Sequence, residues 1–308
     1  MQNILSSAKT FIIVLLGLYT FSSCNKEDSR IEEEKVKLQE YLDANGYNNI
    51  EPTNSGLYHV VISDGDGVSP ERTDYVNINF TASLVDGTVF ETSDRALAVA
   101  RNILREDKLY GPARFPLETL GILGLREGIL LMKEGGRSKL IIPSNLGFGS
   151  TDYGTIPPYS TLIYEVELLD VISDPEEHEQ GLLDQFVAEN EIVEEPTESG
   201  LYYIETEAGT GDLPEINSVI KIHYTGSLLD GREFDTSRTG SNASPISFAL
   251  DSPNIIPGMI EGIKKMREGG KARIIIPWDI GYGAQGSAEG IIPPYSTLVF
   301  DIELVEID

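Results

Sequence analysis

Apolar and polar residues alternate most plainly in two segments. Ile220, Ile222 and Tyr224 take turns with Lys221, His223 and Thr225, and Leu298, Phe300, Ile302 and Leu304 take turns with Val299, Asp301, Glu303 and Val305. A period of two sends successive side chains to opposite faces, so both segments read as half-buried strands, with His223 turned outward. Val76, Ile78 and Phe80 carry the first pattern earlier in the chain. Elsewhere the period is helical. Pro257 is suited to start a helix in which Met259, Ile263 and Met266 share a face, and Gly269-Gly270 to end it, before a further strand from Arg273 to Pro277. Spacings of three and four recur at Val36, Leu38, Tyr41 and Leu42, and at Leu182, Leu183, Phe186 and Val187, which predicts one amphipathic helix at each place. Several strands with one short helix per unit predict an α+β domain, an antiparallel sheet wrapped around that helix.

The unit is written twice. Pro52-Thr53-Asn54-Ser55-Gly56-Leu57-Tyr58 recurs as Pro196-Thr197-Glu198-Ser199-Gly200-Leu201-Tyr202, 144 residues later, and the same offset relates Asp86-Gly87 and Phe90 to Asp230-Gly231 and Phe234. The offset falls to 134 for Lys133-Glu134-Gly135-Gly136 against Arg267-Glu268-Gly269-Gly270, so the first copy has ten extra residues, placed between Asp94 and Pro112. Ile156-Pro157-Pro158-Tyr159-Ser160-Thr161-Leu162 matches Ile292-Pro293-Pro294-Tyr295-Ser296-Thr297-Leu298 at an offset of 136. A period this long means tandem domains, not a solenoid. The extra stretch, Ala96 to Tyr110, fits either a helix at a pocket rim or a tolerated surface insertion.

The chain has 308 residues and a formal net charge of −27, from 50 acidic and 23 basic side chains. Phosphate recognition draws on clustered cations, so this balance argues against a nucleic-acid partner. One cysteine and three histidines, His59, His178 and His223, exclude an internal disulfide framework and show no metal-ligand spacing. Residues 174–198 hold ten acids and no Lys or Arg, which reads as a solvated spacer containing one helix.

Lys9 precedes the apolar run Phe11 to Tyr19, which ends in Ser22 and Ser23 just before the only cysteine. That order reads as a secretory signal, too short to span a bilayer, which needs about 20 residues. Phe21-Ser22-Ser23-Cys24 resembles a bacterial lipobox, with Phe21 in place of the commoner Leu, and implies cleavage and acylation at Cys24. Several acyl chains would anchor the protein durably. The competing reading is an ordinary secreted protein with a free thiol. Loss of residues 1–23 removes one Lys and no acid, leaving 22 basic and 50 acidic residues and a net charge of −28. Asn25-Lys26-Glu27-Asp28 fits either an acidic surface-export signal or a charged tether. The expected organisation is a signal peptide at 1–23, an acidic tether with a short helix at 24–50, domains at 51–173 and 199–308, and the acidic linker at 174–198. The expected location is the outer membrane of a Gram-negative bacterium, facing the periplasm or the cell surface.

Ile222-His223-Tyr224-Thr225-Gly226 followed by Asp230-Gly231-Arg232-Glu233-Phe234-Asp235-Thr236-Ser237 resembles the FKBP-type peptidyl-prolyl isomerase family. So do Ile256-Pro257-Gly258-Met259, Gly281-Tyr282-Gly283, Ile291-Ile292-Pro293-Pro294 and the strand from Leu298 to Leu304, in family order across residues 200–308. The first copy matches less closely, from about Gly56 to Val171. The resemblance implies two tandem FKBP-like domains, each a bent sheet around one helix with an apolar pocket between them. It implies catalytic roles for Tyr224, Phe234, Asp235, Ile256, Tyr282 and Phe300, and substrate binding by Phe248, Ile255, Met259, Ile291 and Ile292. Asp235 would sit at the pocket edge bonded to Tyr224, while the Ile256 backbone N–H and the Tyr282 hydroxyl would hold peptide carbonyls. Met259 replaces a frequent tryptophan and Ile246 a frequent aromatic. Without the resemblance, Phe248, Ile256 and Phe300 read as ordinary core and Asp235 as a turn acid. The implied substrates are proline-containing polypeptides, with no cofactor and no metal.

The copies differ where it matters. The first has Phe80 for Tyr224, Ala82 for Gly226, Glu91 for Asp235, Phe148 for Tyr282 and Thr155 for Ile291, so both phenolic hydroxyls are missing. Gly121 and Leu125 match Ile255 and Met259, and Tyr164 replaces Phe300. The expectation is a retained fold with a weakened or altered site that binds in the first domain, and an active second domain, in a protein that assists folding of exported proteins. The alternative class is a membrane-anchored chaperone module that binds peptides or partners without significant catalysis.

Overall fold

The computed structural model describes residues 27–238, 243–288 and 290–308. The leader, Cys24 and the first two residues after it lie outside that set. The chain divides into two compact units that do not coincide with the repeats, since residues 71–79 and 93–118 group with 169–308; each repeat nevertheless has its own six-stranded sheet.

In the first repeat the strands are β1 (Tyr58–Ser63), β2 (Tyr75–Leu84), β3 (Val89–Thr92), β4 (Ala113–Pro116), β5 (Arg137–Ile142) and β6 (Leu162–Ile172). Their order is β1-β5-β6-β2, with β3 and β4 both pairing with β2. In the second repeat they are β7 (Tyr202–Glu207), β8 (Val219–Leu228), β9 (Glu233–Thr236), β10 (Ile246–Ala249), β11 (Lys271–Ile276) and β12 (Leu298–Ile307). The order is again β7-β11-β12-β8, with β9 and β10 on β8. The expected α+β architecture is present twice with one topology.

Five helices accompany the sheets among the described residues: α1 at 27–45, α2 (Arg95–Ala100), α3 (Leu123–Leu130), α4 (Pro175–Glu189) and α5 (Pro257–Ile263). Helix α5 starts at Pro257 as expected but ends at Ile263, short of Gly269-Gly270. Single-turn bonds, Lys265 N–H to Gly262 O and Met266 N–H to Ile263 O, tighten its end, and this turn still buries Met266 beside Met259 and Ile263. Inside each sheet the central helix lies unusually close to one strand. A Cβ on Gly258 or Gly262 would come within 2.3 or 2.8 Å of Ile276 or Ile274, and one on Gly124 or Gly128 within 2.4 or 2.3 Å of Ile142 or Leu140. The Gly-x-x-x-Gly spacing in both helices is therefore a packing device that lets helix and strand approach closely. Helix α2 occupies the start of the ten-residue insertion, capped by the Asp94 carboxylate, which accepts from the N–H groups of Ala96 and Leu97.

The acidic segments correct two expectations. Helix α1 buries Leu42 against Ile141 and Ile163, with Leu38 and Tyr41 beside it, whereas Val36 is exposed, so the apolar stripe is narrower than predicted. Helix α4 is not a solvated spacer: Leu183 packs on Ile275 and Val299, with Phe186 and Val187 alongside. Val299 and Ile275 are buried for that reason, so the outer face of the last strand is covered at its Val299 end while Asp301 and Val305 stay exposed. Each helix also inserts a carboxylate. Glu34 accepts from the Ser144 N–H and hydroxyl at 2.6 Å each and from the Thr161 hydroxyl at 2.9 Å; Glu179 accepts from the Thr297 N–H at 2.7 Å. These bonds make burial of the two acids tolerable.

Candidate functional site

The period of β8 places Ile220 and Ile222 fully inside and brings Tyr224 to the half-buried end of the same face. β9 returns beside it and pairs Asp235 with Gly226 across the ladder. The Tyr224 hydroxyl donates to the Asp235 carboxylate in a close contact, as the resemblance implied. Burial first, and then that bond and charge, push the Tyr224 phenol above its ordinary value, so it stays a donor.

Phe300 on β12 forms the floor. It is buried, with the Phe234 ring edge-on at 5.6 Å and 81°, and Tyr224 tilted at 6.1 Å and 45°. Met259 and Ile292 are buried in the same cluster, and Phe248, Ile255 and Ile256 pack on it half-buried. The structure thus gathers ten of the eleven residues expected there, counting Tyr282 at the rim. Ile291 is the exception: it is half-buried and outside that cluster, because only Ile292 of this adjacent pair turns inward.

The loop carrying Tyr282 and Ile292 is tied to itself. Ser287 N–H donates to the Ile292 carbonyl, the Ser287 hydroxyl accepts from Ile292 N–H, and Tyr295 N–H donates to the Gly283 carbonyl. Tyr282 is 40% exposed, and its hydroxyl has no hydrogen-bond partner among the described residues. Burial and the nearby charge of Asp235 push this phenol up as well. The Ile256 N–H, at the N-cap of α5, also donates to no described residue. Two free donors therefore stand beside an apolar floor. His223 takes no part; its ring is bonded to the Ser237 hydroxyl at 3.1 Å. Among the described residues no group of His, Cys, Asp or Glu is arranged to hold a metal ion.

In the first repeat the floor is Tyr164, stacked on Phe80 at 6.1 Å and 25° and edge-on to Phe90 at 6.2 Å and 73°. Leu125 and Ile156 are buried where Met259 and Ile292 stand in the other copy. Phe148, matching Tyr282, packs on Tyr153 at 4.4 Å and offers no hydroxyl. The hydroxyls lost at Phe80 and Phe148 are accompanied by one gained on the floor, at Tyr164.

A model of the FKBP-type peptidyl-prolyl cis-trans isomerase family matches residues 67–169 and again 211–305. The FKBP-type peptidyl-prolyl cis-trans isomerase FkpA of Escherichia coli is 44% identical over 109 residues, 35% of this chain and 38% of that protein. An FKBP-type 22 kDa peptidyl-prolyl cis-trans isomerase of Escherichia coli is 40% identical over 134 residues, 43% of this chain and 58% of that protein. Human peptidyl-prolyl cis-trans isomerase FKBP10 is 30% identical over 234 residues, 76% of this chain and 34% of that protein. The matched part of this chain thus spans less than two thirds of the length of each of these relatives.

Proposed function

Because the chain belongs to the FKBP-type peptidyl-prolyl cis-trans isomerase family, which its two repeats match in turn, we propose that it accelerates cis–trans rotation about X-Pro bonds in polypeptides and that turnover is concentrated in the second repeat. The observation that carries this reading is the pairing of an apolar aromatic floor with two unengaged donors, Tyr282 Oη and Ile256 N–H. An X-Pro bond populates both isomers because the trans preference is only about 0.5–1 kcal/mol, yet rotation meets a barrier of about 18–20 kcal/mol. The planar amide is polarised by resonance, and the twisted transition state loses that charge separation. An apolar site favours the less polar, twisted form. Phe300, Phe234 and Met259 supply the apolar surface; the two donors hold flanking carbonyls so that one side of the bond is fixed while the other turns. Asp235, fixed by Tyr224, orients the rim, and no proton needs to move.

The test is a protease-coupled X-Pro peptide assay on the full chain. Tyr282→Phe with Asp235→Ala lowers kcat/KM by about two orders of magnitude while the thermal unfolding midpoint stays near that of the wild type. A wild-type chain no faster than the uncatalysed rate defeats the activity, and an active double variant defeats the site.

The leader and Cys24 support the further proposal of a lipid-anchored outer-membrane protein of a Gram-negative bacterium, assisting the folding of exported chains at the periplasmic or outer surface. No helix among the described residues is long and apolar enough to cross a membrane. Cys24→Ser releases the protein into the soluble fraction; retention in the membrane pellet argues against lipidation.

A further inference from the structure

Two hydroxyls disappear from the first repeat at Phe80 and Phe148, and one returns on a different strand. Tyr164 lies opposite Leu140 on β5, the register that Phe300 holds opposite Ile274 on β11. It is only 4% exposed, held between the Phe80 and Phe90 rings. Its hydroxyl has no hydrogen-bond partner among the described residues, yet no described side-chain N or O that is shut off from solvent lacks one. The small accessible area of Tyr164 must therefore include the hydroxyl. Burial and the charge of Glu91 push this phenol up, so it remains a donor. A second donor, the Ile122 N–H at the N-cap of α3, is also unengaged among the described residues, as Ile256 N–H is in the other copy.

A donor that keeps a small solvent contact and has no protein acceptor can give its hydrogen bond to a group that enters the site. We propose that the first repeat is a second polypeptide-binding site, in which the Tyr164 hydroxyl donates from the floor to a carbonyl oxygen of the inserted segment and the Ile122 N–H takes a neighbouring carbonyl. The placement dictates a different outcome from that of the second repeat. A donor aimed at the amide oxygen favours the planar form, whose oxygen carries the negative end of the dipole, over the twisted form. The site binds its segment without accelerating rotation. This holds whether or not the second repeat is catalytic.

The experiment uses the full chain carrying Asp235→Ala and Tyr282→Phe, which removes polar contacts from the second site. The probes are fluorescein-labelled Ala-Leu-Pro-Phe and its isostere with an alkene in place of the Leu-Pro amide. The amide peptide binds roughly three- to tenfold more tightly than the isostere, the worth of one neutral hydrogen bond. Adding Tyr164→Phe erases that difference by weakening the amide peptide alone. Phenylalanine is the residue at this register in the second repeat, and a thermal unfolding scan checks that the variant is folded. Equal affinity for both probes before Tyr164 is changed, an amide peptide indifferent to Tyr164→Phe, or no binding at all each overturns the proposal. The comparison of the two probes needs no change at Tyr164. The isomerase assay on the wild-type chain reads the second repeat separately.

Discussion

Where the second repeat has Gly226 the first has Ala82, and the rings on either side differ accordingly. A Cβ on Gly226 would lie 2.7 Å from Phe234 and 2.8 Å from Phe300, closer than packed atoms approach. In the first repeat Ala82 is fully buried, and the corresponding pair, Phe90 and Tyr164, stands 6.2 Å apart, against 5.6 Å for Phe234 and Phe300. The rest of the two scaffolds agrees: the same strand order, the same glycine-lined helix seat, and a flanking helix docked through a buried glutamate. The added methyl group goes with a hydroxyl on the floor at Tyr164 and with the loss of two at Phe80 and Phe148, beside Glu91 for Asp235 and Thr155 for Ile291. The lesson is that the side chains lining the pocket diverged while the packing that builds the pocket was kept.

The claim of a common scaffold exposes itself to the largest effect. Ile129 and Ile263 are both fully buried at matching places on α3 and α5. Truncating either to Ala should cost its own repeat about 2–5 kcal/mol, with similar losses in the two. Urea unfolding that follows each repeat's transition measures this, and a loss confined to one repeat breaks the comparison. Next in size is Gly226→Ala. Forcing the methyl between Phe234 and Phe300 should destabilise the second repeat by roughly 1–3 kcal/mol and reduce its isomerase kcat/KM about tenfold, because the floor is pushed toward the geometry of the first repeat. Full activity with an unchanged unfolding midpoint would show that ring spacing does not distinguish the sites.

The smallest effect concerns pH. His59 on β1, bonded to the Ser138 hydroxyl at 2.8 Å, has its pKa lowered by burial, with Asp64 opposing; His178 on α4 is lowered by burial too. A histidine kept neutral in the fold takes up its proton more readily in the unfolded chain. Its stabilising contribution is present above the ordinary value of about 6.5 and is lost as pH falls through the lower folded value. Each repeat should weaken on acidification below about 6.5, and His59→Gln should flatten that slope in the first repeat only. An unaltered slope in the first repeat would assign the acid sensitivity to its carboxylates.

Much of this was fixed by the order of residues alone. Period-two alternation places Ile220, Ile222, Phe300 and Ile302 inside whatever else happens, since a strand has only two faces. The duplication shows through its offsets, and ten of the eleven expected pocket residues converge because short-range patterning on each strand and the loop order bring them there. Tertiary structure decided the remainder, where burial depends on a partner far along the chain. Runs of acids read as solvated because nothing nearby in sequence accepts or donates to them. Glu34 and Glu179 are inside because Ser144, Thr161 and Thr297, more than a hundred residues away, supply the donors. Val299 reads as outward and is covered because α4 lies over it. Tyr164 reads as a conservative aromatic exchange, and only the folded neighbourhood shows that its hydroxyl keeps solvent contact and has no partner among the described residues. A sequence states which groups a chain owns; which of them are satisfied is a property of the folded neighbourhood.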